Sequence, residues 1–260
     1  ADGAPGADGA PGADGQDLVH CLAGDGAANV HSMVKYCPDS TTILSQGYSH
    51  TWSLVGSFHS APIGCDMGED ECEGYAEVPA YDATSQRAFV VNAEDSSVDI
   101  IDMSTPSMPT LHHRLVISNG EPNSVAVSSN GLVGVAVAVD PKQDNGLAMF
   151  FDTDGALVGS ITAGALPDMI TFTNDGTKAL VANEGEPDDD YVVDPVGSVT
   201  VIDVSDTTSL TATQVGFTSF NSQMATLEAN GVRIFGPGAT VAQDLEPEYI
   251  AVAGDDSTAT

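Results

Sequence analysis

Four oxygen-bearing side chains occupy the same place in four copies of a repeated phrase, and they have the chemistry of a cation site. They are Glu77, Asn123, Asp168 and Glu248. Carboxylate and amide oxygens are hard ligands that suit calcium, or magnesium with retained waters. If the copies surround one axis, their carboxylates repel one another unless a cation lies between them. The alternative is that these side chains cap strand ends or bind channel water.

The elements that must position these side chains are short β-strands. Each copy is an apolar stretch, a polar turn and a second apolar stretch, and the residues after the four positions are spaced by 46, 45 and 80. A third stretch follows three of the copies and ends on Asp102, Asp152 or Asp203. A fourth apolar stretch follows two of these copies. Four antiparallel strands in a repeat of about 40–50 residues are the pattern of a propeller blade.

We therefore predict an all-β fold, a partial β-propeller of about three four-stranded blades plus the start of a fourth. The first strand of each blade lines the channel, so the four positions should converge at its mouth. Residues 53–58 have nearly the sequence of residues 156–161, which predicts an outer strand before the first blade. Residues 225–229, within the long third repeat, predict a short helix.

The propeller should occupy residues 47–260 and be preceded by two smaller segments. Glycine at every third position from Gly3 to Gly15 is typical of a collagen-like segment over residues 1–16, which would allow a trimer. A flexible linker is the alternative. Residues 17–46 predict a small β-hairpin spacer that a disulfide must hold together, because so short a segment buries little core.

Cysteine spacing favours disulfides and therefore an oxidising, extracellular compartment. Two local pairs are present, Cys21 with Cys37 and Cys65 with Cys72, and neither has the spacing of a structural zinc site. Reduced thiols remain the alternative.

The net charge of the chain limits the classes of molecule that it can bind. The chain has 6 Lys+Arg against 38 Asp+Glu, a net charge of −32, so it should repel nucleic acid. The acidity also fits adaptation to a saline habitat. No apolar run reaches the ~18 residues of a membrane span.

A second acidic group, Glu184, Glu186, Asp188 and Asp190, is a secondary metal candidate. It lacks EF-hand spacing and can equally be a solvated loop.

Signals for catalysis are few. The sequence has no Gly-x-Ser-x-Gly elbow, phosphate-binding glycine loop or His-Glu-x-x-His motif. Arg233 and Lys142 stand out because basic residues are scarce. Arg233 would either hold an anionic substrate over a metal or pair with Asp244 or Glu246, and the pairing is the favoured interpretation.

Several longer motifs resemble the choice-of-anchor I family. They are Asp-Pro-Lys-Gln-Asp (140–144), Gly-Ala-Leu-Pro-Asp-Met (164–169), Val-Ala-Asn-Glu-Gly-Glu-Pro (181–187) and the run over 231–249. The resemblance extends from about residue 52 to residue 260. It implies a β-propeller, seven-bladed when complete, held on the bacterial cell surface by a C-terminal anchor. Animal relatives are described as mesenchyme-specific cell-surface glycoproteins.

Together these observations predict an extracellular surface module rather than an enzyme. Calcium at the channel mouth would stabilise it, and its loops would bind a glycan, matrix or protein ligand. The alternative is a metal-dependent hydrolase of phosphate esters with its site at that mouth. Such an enzyme needs a cationic clamp for the phosphoryl group, and six basic residues in the chain count against it.

Overall fold

The computed structural model of the chain describes residues 42–45, 48–51, 53–60 and 75–260. The predicted collagen-like segment and all four cysteines, Cys21, Cys37, Cys65 and Cys72, lie outside the described residues. Strands β1 (Thr42–Ser45) and β2 (Tyr48–Thr51) form a two-stranded antiparallel hairpin. This hairpin crosses the position at which the sequence separates the spacer from the propeller.

Twelve further strands form three four-stranded antiparallel sheets, which confirms the all-β, propeller-like fold. Blade 1 contains β3 (Pro79–Asp82), β4 (Arg87–Asn92), β5 (Ser97–Asp102) and β6 (Thr110–Val116). Blade 2 contains β7 (Glu121–Val127), β8 (Val133–Ala138), β9 (Asn145–Phe151) and β10 (Leu157–Ala165). Blade 3 contains β11 (Pro167–Phe172), β12 (Lys178–Asn183), β13 (Ser198–Asp203) and β14 (Thr211–Gly216). In each blade the strands pair in chain order.

The three blades pack face to face, with their first strands together. Strand β7 lies against β3 on one side and against β11 on the other. The middle strands β4, β8 and β12 are apolar and almost fully buried, as expected where both faces of a sheet are covered. Between blades 2 and 3, the rings of Phe150 and Phe172 meet edge to face with centroids 6.3 Å apart.

The Asp at the end of the third strand, or directly after it in blade 2, caps the turn that follows. Asp102 accepts the N–H of Ser104 at 2.8 Å, and Asp203 accepts the N–H of Ser205 at 3.0 Å. Hydrogen bonds from these serines lower the pKa of both Asp102 and Asp203. This repeated acidic position therefore serves turn geometry.

The long third repeat carries its extra length as a short helical insertion. A 3₁₀ helix (Thr218–Gln223) leads into α1 (Met224–Ala229), which confirms the predicted helix, and α2 (Val241–Asp244) follows. None of the helices in the described part of the chain has the length and hydropathy of a membrane-spanning segment.

The fourth copy starts a hairpin against blade 3. Ala251 and Thr260 exchange two backbone hydrogen bonds of 2.7 and 2.9 Å. Ile250 is buried with Met169 and Leu180 of blade 3. The carboxylate of Asp256 accepts the backbone N–H groups of Asn174 and Asp175, which ties this copy to the turn between β11 and β12.

The prediction of an outer strand at residues 53–58 is wrong. This segment has no regular secondary structure, although it lies along blade 1. Gly56 passes the turn between β5 and β6, and Phe58 packs against Ala88 and Val90. Strand β6 already pairs with β5 and completes the four-stranded sheet, so the outer-strand position of blade 1 is occupied.

Candidate functional site

A β-bulge opens the inner strand of blades 2 and 3, and the bulged residues are Asn123 and Asp168. In blade 2, Pro122 pairs with Val137 but Ser124 pairs with Ala136, which leaves Asn123 as the extra residue. In blade 3, Asp168 is likewise extra between Pro167 and Met169. A bulge bends the strand and redirects a side chain, and such features are common next to functional sites.

Blade 1 has the same kind of β-bulge at Glu77, in which two residues of one strand face a single residue of its partner. The carbonyl oxygen of Val91 accepts the N–H of Glu77 at 3.0 Å, while the N–H of Val91 donates to the carbonyl oxygen of Val78 at 2.9 Å. Val91 therefore faces two consecutive residues. The three sequence-aligned positions are thus structurally equivalent as well, each at the entrance of an inner strand.

Asp168 and Glu248 belong to one group of interacting carboxylates, which also contains Glu184 and Glu186. Desolvation raises the pKa of Asp168, and the negative charges of Glu248 and Glu186 raise it further. Desolvation is also the largest cause that raises the pKa of Glu184 to about 7, and the charge of Asp168 comes next. We call Asp168, Glu184, Glu186 and Glu248 the carboxylate cluster.

The cluster brings together two sets of residues that the sequence predicts as separate metal candidates. Asp168 and Glu248 come from the four blade-opening positions, and Glu184 and Glu186 come from the secondary acidic group. Glu184 directly follows β12, and its N–H donates to the carbonyl oxygen of Leu166, just before β11, at 3.0 Å. That bond holds Glu184 close to the bulge that carries Asp168. Sequence reasoning missed Glu246, whose pKa is raised by desolvation and by the charges of Glu186 and Asp244.

Two glycines permit the loops of the cluster to approach one another. Gly185 has φ +71°, and a side chain there would meet the backbone of Val196 at 2.8 Å. A side chain on Gly197 would lie 1.8 Å from the carbonyl oxygen of Leu245. The N–H of Gly197 donates to the carbonyl oxygen of Ala242 at 2.9 Å. The helical insertion is therefore packed directly on the loop that carries Glu184 and Glu186.

A lysine from the neighbouring blade reaches the cluster. Lys142, between β8 and β9, forms an ion pair with Glu186, and Gln143 donates to the carbonyl oxygen of Glu186 at 3.3 Å. The hydrogen bond with Glu186 raises the pKa of Lys142, as do the charges of Glu184 and Asp189. This contact partly neutralises the cluster and links blades 2 and 3.

Asn123 and Glu77, the other two blade-opening residues predicted to bind the cation, make contacts outside the carboxylate cluster. The side-chain amide of Asn123 donates to the carbonyl oxygen of Pro167 at 3.0 Å, so it connects two inner strands. Desolvation raises the pKa of Glu77, and the neighbouring charge that adds to the effect is that of Glu121. The blade-opening acids thus divide into the cluster at blade 3 and a separate Glu77–Glu121 pair.

The remaining secondary candidates lie on the loop after the cluster. The Oδ1 atom of Asp188 accepts the N–H of Val192 at 2.7 Å, so this carboxylate closes its own loop. Asp190 is exposed to solvent. Among the residues that the structure describes, no three His, Cys, Asp or Glu side chains are arranged as a ready metal-binding group. Metal ligation by the cluster therefore stays a prediction.

The favoured pairing of Arg233 with Asp244 or Glu246 is wrong. The guanidinium carbon of Arg233 lies 4.8 Å from the centre of the Phe235 ring, a cation–π contact. Asp244 instead accepts the backbone N–H groups of Phe235 at 2.9 Å and Gly236 at 2.8 Å. These two donors fix the carboxylate in the loop, and Arg233 remains at the surface.

The chemistry of the cluster suits a hard divalent cation. Its donors are carboxylate oxygens, and the raised pKa values of Asp168 and Glu184 reflect the cost of holding several negative charges in a partly desolvated place. A cation would remove that cost, and calcium tolerates the irregular geometry of loop ligands.

Similarity to solved structures is low. A Bacteroides uniformis protein assigned as a 6-phosphogluconolactonase matches with 12% identity and a TM-score of 0.48, over 87% of this chain and 58% of that one. A chain of Kuenenia stuttgartiensis hydrazine synthase matches with 20% identity and a TM-score of 0.39, over 54% and 37%. A chain of the nidogen/laminin complex matches with 13% identity and a TM-score of 0.39, over 68% and 58%. The chain spans less than two thirds of each of these proteins, and no curated protein matches it.

The family model for the choice-of-anchor I domain matches residues 77–260, from the first blade-opening acid to the hairpin of the fourth copy. This match covers all three blades and every member of the carboxylate cluster. It agrees with a surface-associated, β-propeller-like module, located at the cell surface or secreted. The chain belongs to the choice-of-anchor I family.

Proposed function

We propose that the protein is an extracellular, surface-anchored β-propeller that binds calcium at the carboxylate cluster and presents the loops around it to a glycan, matrix or protein ligand. The observation that carries the proposal is the meeting of Asp168, Glu184, Glu186 and Glu248 in one partly desolvated place, where the N–H of Glu184 is bonded to the carbonyl oxygen of Leu166 beside the Asp168 bulge. Desolvation, together with the charges of Asp168, Glu186 and Glu248, raises the pKa of Glu184 to about 7.

Repulsion within the cluster has to be balanced. A carboxyl group with a pKa near 7 is half protonated at neutral pH, whereas an unperturbed Glu is almost fully ionised. Lys142 supplies one positive charge, which is paired with Glu186. A divalent cation would supply two more charges at the place where Asp168, Glu184 and Glu248 act on one another.

Calcium would also explain why loops of different origin meet here. Glu184 lies on the loop after β12, and Glu248 opens the fourth copy after the helical insertion. One ion ligated by both segments and by the bulged Asp168 would fix the insertion over blade 3. Loops on a rigid β scaffold are frequent binding surfaces, and fixing them reduces the entropy lost on binding.

Hydrolysis of phosphate esters is the second function that a metal at this place would allow. It requires an open metal position and a cationic group for the phosphoryl oxygens. Lys142 is the basic side chain that contacts the cluster, and its ammonium group is committed to Glu186. We therefore propose binding in preference to catalysis.

Thermal unfolding with and without calcium tests the proposal. The whole chain, freed of metal by chelation, should melt at a higher temperature when calcium is added at 1 mM, as roughly expected for a ligand well above its Kd. Glu184→Gln and Asp168→Asn should abolish the calcium-dependent increase. Asp190→Asn, which removes an exposed charge from the same loop, is the matched control and should retain it.

A phosphate ester assay on the same proteins separates the two functions. Stabilisation by calcium without turnover of a generic aryl phosphate supports the binding module. Turnover that requires calcium and disappears in Asp168→Asn would replace that proposal by the hydrolase. A melting temperature that calcium leaves unchanged would contradict both.

A further inference from the structure

The loop after the carboxylate cluster ends in large apolar side chains that face solvent. Val192 is 80% exposed, and Tyr191 and Val193 on either side of it are also exposed. Phe235 of the helical insertion is 62% exposed. We call Tyr191, Val192, Val193 and Phe235 the apolar tip. Contiguous exposed apolar groups on a soluble protein commonly mark an interaction site.

The apolar tip is held in a defined shape. The backbone N–H of Tyr191 donates to the carbonyl oxygen of Asp188 at 3.0 Å, and the N–H of Asp188 donates to the carbonyl oxygen of Val193 at 2.9 Å. The Tyr191 ring lies 3.8 Å from the point at which a side chain on Gly236 would begin. These contacts bring the Tyr191 loop against the segment that carries Phe235.

One further hydrogen bond joins the loop and the insertion, and another braces the insertion itself. The side-chain amide of Gln243 donates to the carbonyl oxygen of Asp194 at 2.9 Å. Asp244 fixes the backbone of Phe235 from the other side, with an N–H to Oδ2 distance of 2.9 Å. The four apolar side chains therefore stand on a braced surface, which lowers the entropic cost of binding.

Negative charge surrounds the apolar tip. Asp188, Asp189 and Asp190 precede Tyr191, and Asp194 follows Val193. Asp244 lies at the base of the Phe235 segment. The face of the Phe235 ring already accepts one guanidinium group, that of Arg233. The surface thus combines apolar contact area, carboxylates and an aromatic ring that holds a cation.

We propose that the apolar tip is the docking surface for a basic protein segment that carries Lys or Arg next to aliphatic side chains. The proposal rests on the proposed function as a binding module and names its ligand class. Charge complementarity selects the occupant, because a chain of net charge −32 repels acidic polysaccharides and phosphates. Aliphatic groups of the partner would cover Val192 and Val193, and its cations would meet the surrounding aspartates.

Two synthetic peptides of equal charge test this docking surface. One alternates Lys with Leu, and the other alternates Lys with Ser; binding to the whole chain is measured by fluorescence anisotropy at 150 mM salt. The Lys–Leu peptide should bind roughly tenfold more tightly, as removal of a central apolar contact commonly costs. The double variant Val192→Ser/Val193→Ser should remove this preference and leave the binding of the Lys–Ser peptide unchanged.

Val215→Ser is the matched control, because Val215 is an exposed valine on the outer strand β14. It should keep the full preference for the Lys–Leu peptide. Equal binding of both peptides, or a preference that survives Val192→Ser/Val193→Ser, would overturn the proposal, since simple attraction to an acidic protein would then suffice. Loss of the preference in Val215→Ser as well would also overturn it.

The outcome is independent of the calcium experiment. Calcium-dependent stabilisation of the natural chain together with equal binding of both peptides to it would leave the calcium-binding module standing and reject the basic ligand. A preference for the Lys–Leu peptide in a natural chain that calcium does not stabilise would support the basic ligand and reject the calcium-binding module.

Discussion

The side-chain amide nitrogen of Asn123 donates to the carbonyl oxygen of Pro167 across 3.0 Å, so the bulged residue of blade 2 is bonded to the residue just before the bulged residue of blade 3. Ser124, the next residue, accepts the N–H of Ile170 at 3.3 Å. Two successive positions of β7 therefore fix where β11 begins. The placement of Asp168 depends on this contact.

Asn123→Ala should lower the free energy of unfolding by about 1 kcal/mol, because it removes one hydrogen bond and leaves a carbonyl oxygen without its partner. Denaturant unfolding would measure the loss. Asn119→Ala, at an exposed position before β7, serves as the control and should change stability much less. Equal losses in the two variants would show that the Asn123–Pro167 bond does not hold blades 2 and 3 in register.

Arg114 forms a bidentate ion pair with the buried Asp99 in blade 1. Asp99 is fully buried and faces Arg114 across β5 and β6, with Nε–Oδ1 and Nη2–Oδ2 distances of 2.6 and 2.9 Å. Arg114→Met should lower the free energy of unfolding by about 3–5 kcal/mol, because it leaves a buried charge without compensation. Chemical denaturation would measure it.

The matched test of that pair is the double variant Asp99→Leu/Arg114→Met. It removes both charges, so it should be more stable than Arg114→Met alone. If the double variant were the less stable of the two, the ion pair itself, and not the uncompensated charge, would be the source of stability.

Stability without calcium should fall as pH rises from about 4.5 to about 7. The pKa of Glu184 is about 7 in the folded chain against 4.5 for an ordinary Glu, so the folded state binds the proton more tightly. The raised pKa of Asp168 acts in the same direction. Melting temperatures in chelator between pH 5 and pH 8 would measure the decrease.

Glu184→Gln should flatten that decrease and melt at a higher temperature than the natural chain at pH 8. Asp190→Asn should retain the slope, because Asp190 is exposed. A melting temperature that rises between pH 5 and pH 7 in the natural chain would contradict the raised pKa values of the cluster.

Gly197→Ala should detach the helical insertion from blade 3, because the added methyl carbon would lie 1.8 Å from the carbonyl oxygen of Leu245. We expect a loss of about 2–4 kcal/mol, typical of steric overlap with backbone. Limited proteolysis should also cut within residues 217–247 sooner. Gly216→Ala, with open space around the glycine, is the control and should behave like the natural chain.

The repeat made the blades and their inner-strand openings predictable from the sequence. Apolar alternation, turn residues and the 45-residue spacing reflect local structure, so the four-stranded blades were anticipated. The bulges at Asn123 and Asp168 were not, because a bulge is defined by the register with a partner strand. The failed outer strand at 53–58 has the same cause, because the fourth strand of blade 1 is supplied by β6 and that pairing is set by the tertiary structure.

Long-range contacts limited the prediction of the site. Glu186 meets Lys142 from 44 residues away, and no local pattern reveals that pairing. Arg233 stacks on Phe235, two residues away, because Asp244 is already bound to backbone N–H groups. The acidic character of the blade-opening positions was predictable from composition and repeat position, whereas their division into the cluster and the Glu77–Glu121 pair depends on tertiary structure.

Calorimetric titration of the metal-free chain with calcium tests the central claim most directly. We expect saturable binding to the natural chain and to Asp189→Asn/Asp190→Asn, with loss of that binding in Asp168→Asn/Glu184→Gln. Circular dichroism would establish that both double variants are folded. Saturable binding that persists in folded Asp168→Asn/Glu184→Gln, or its absence from the natural chain, would contradict calcium ligation by the carboxylate cluster.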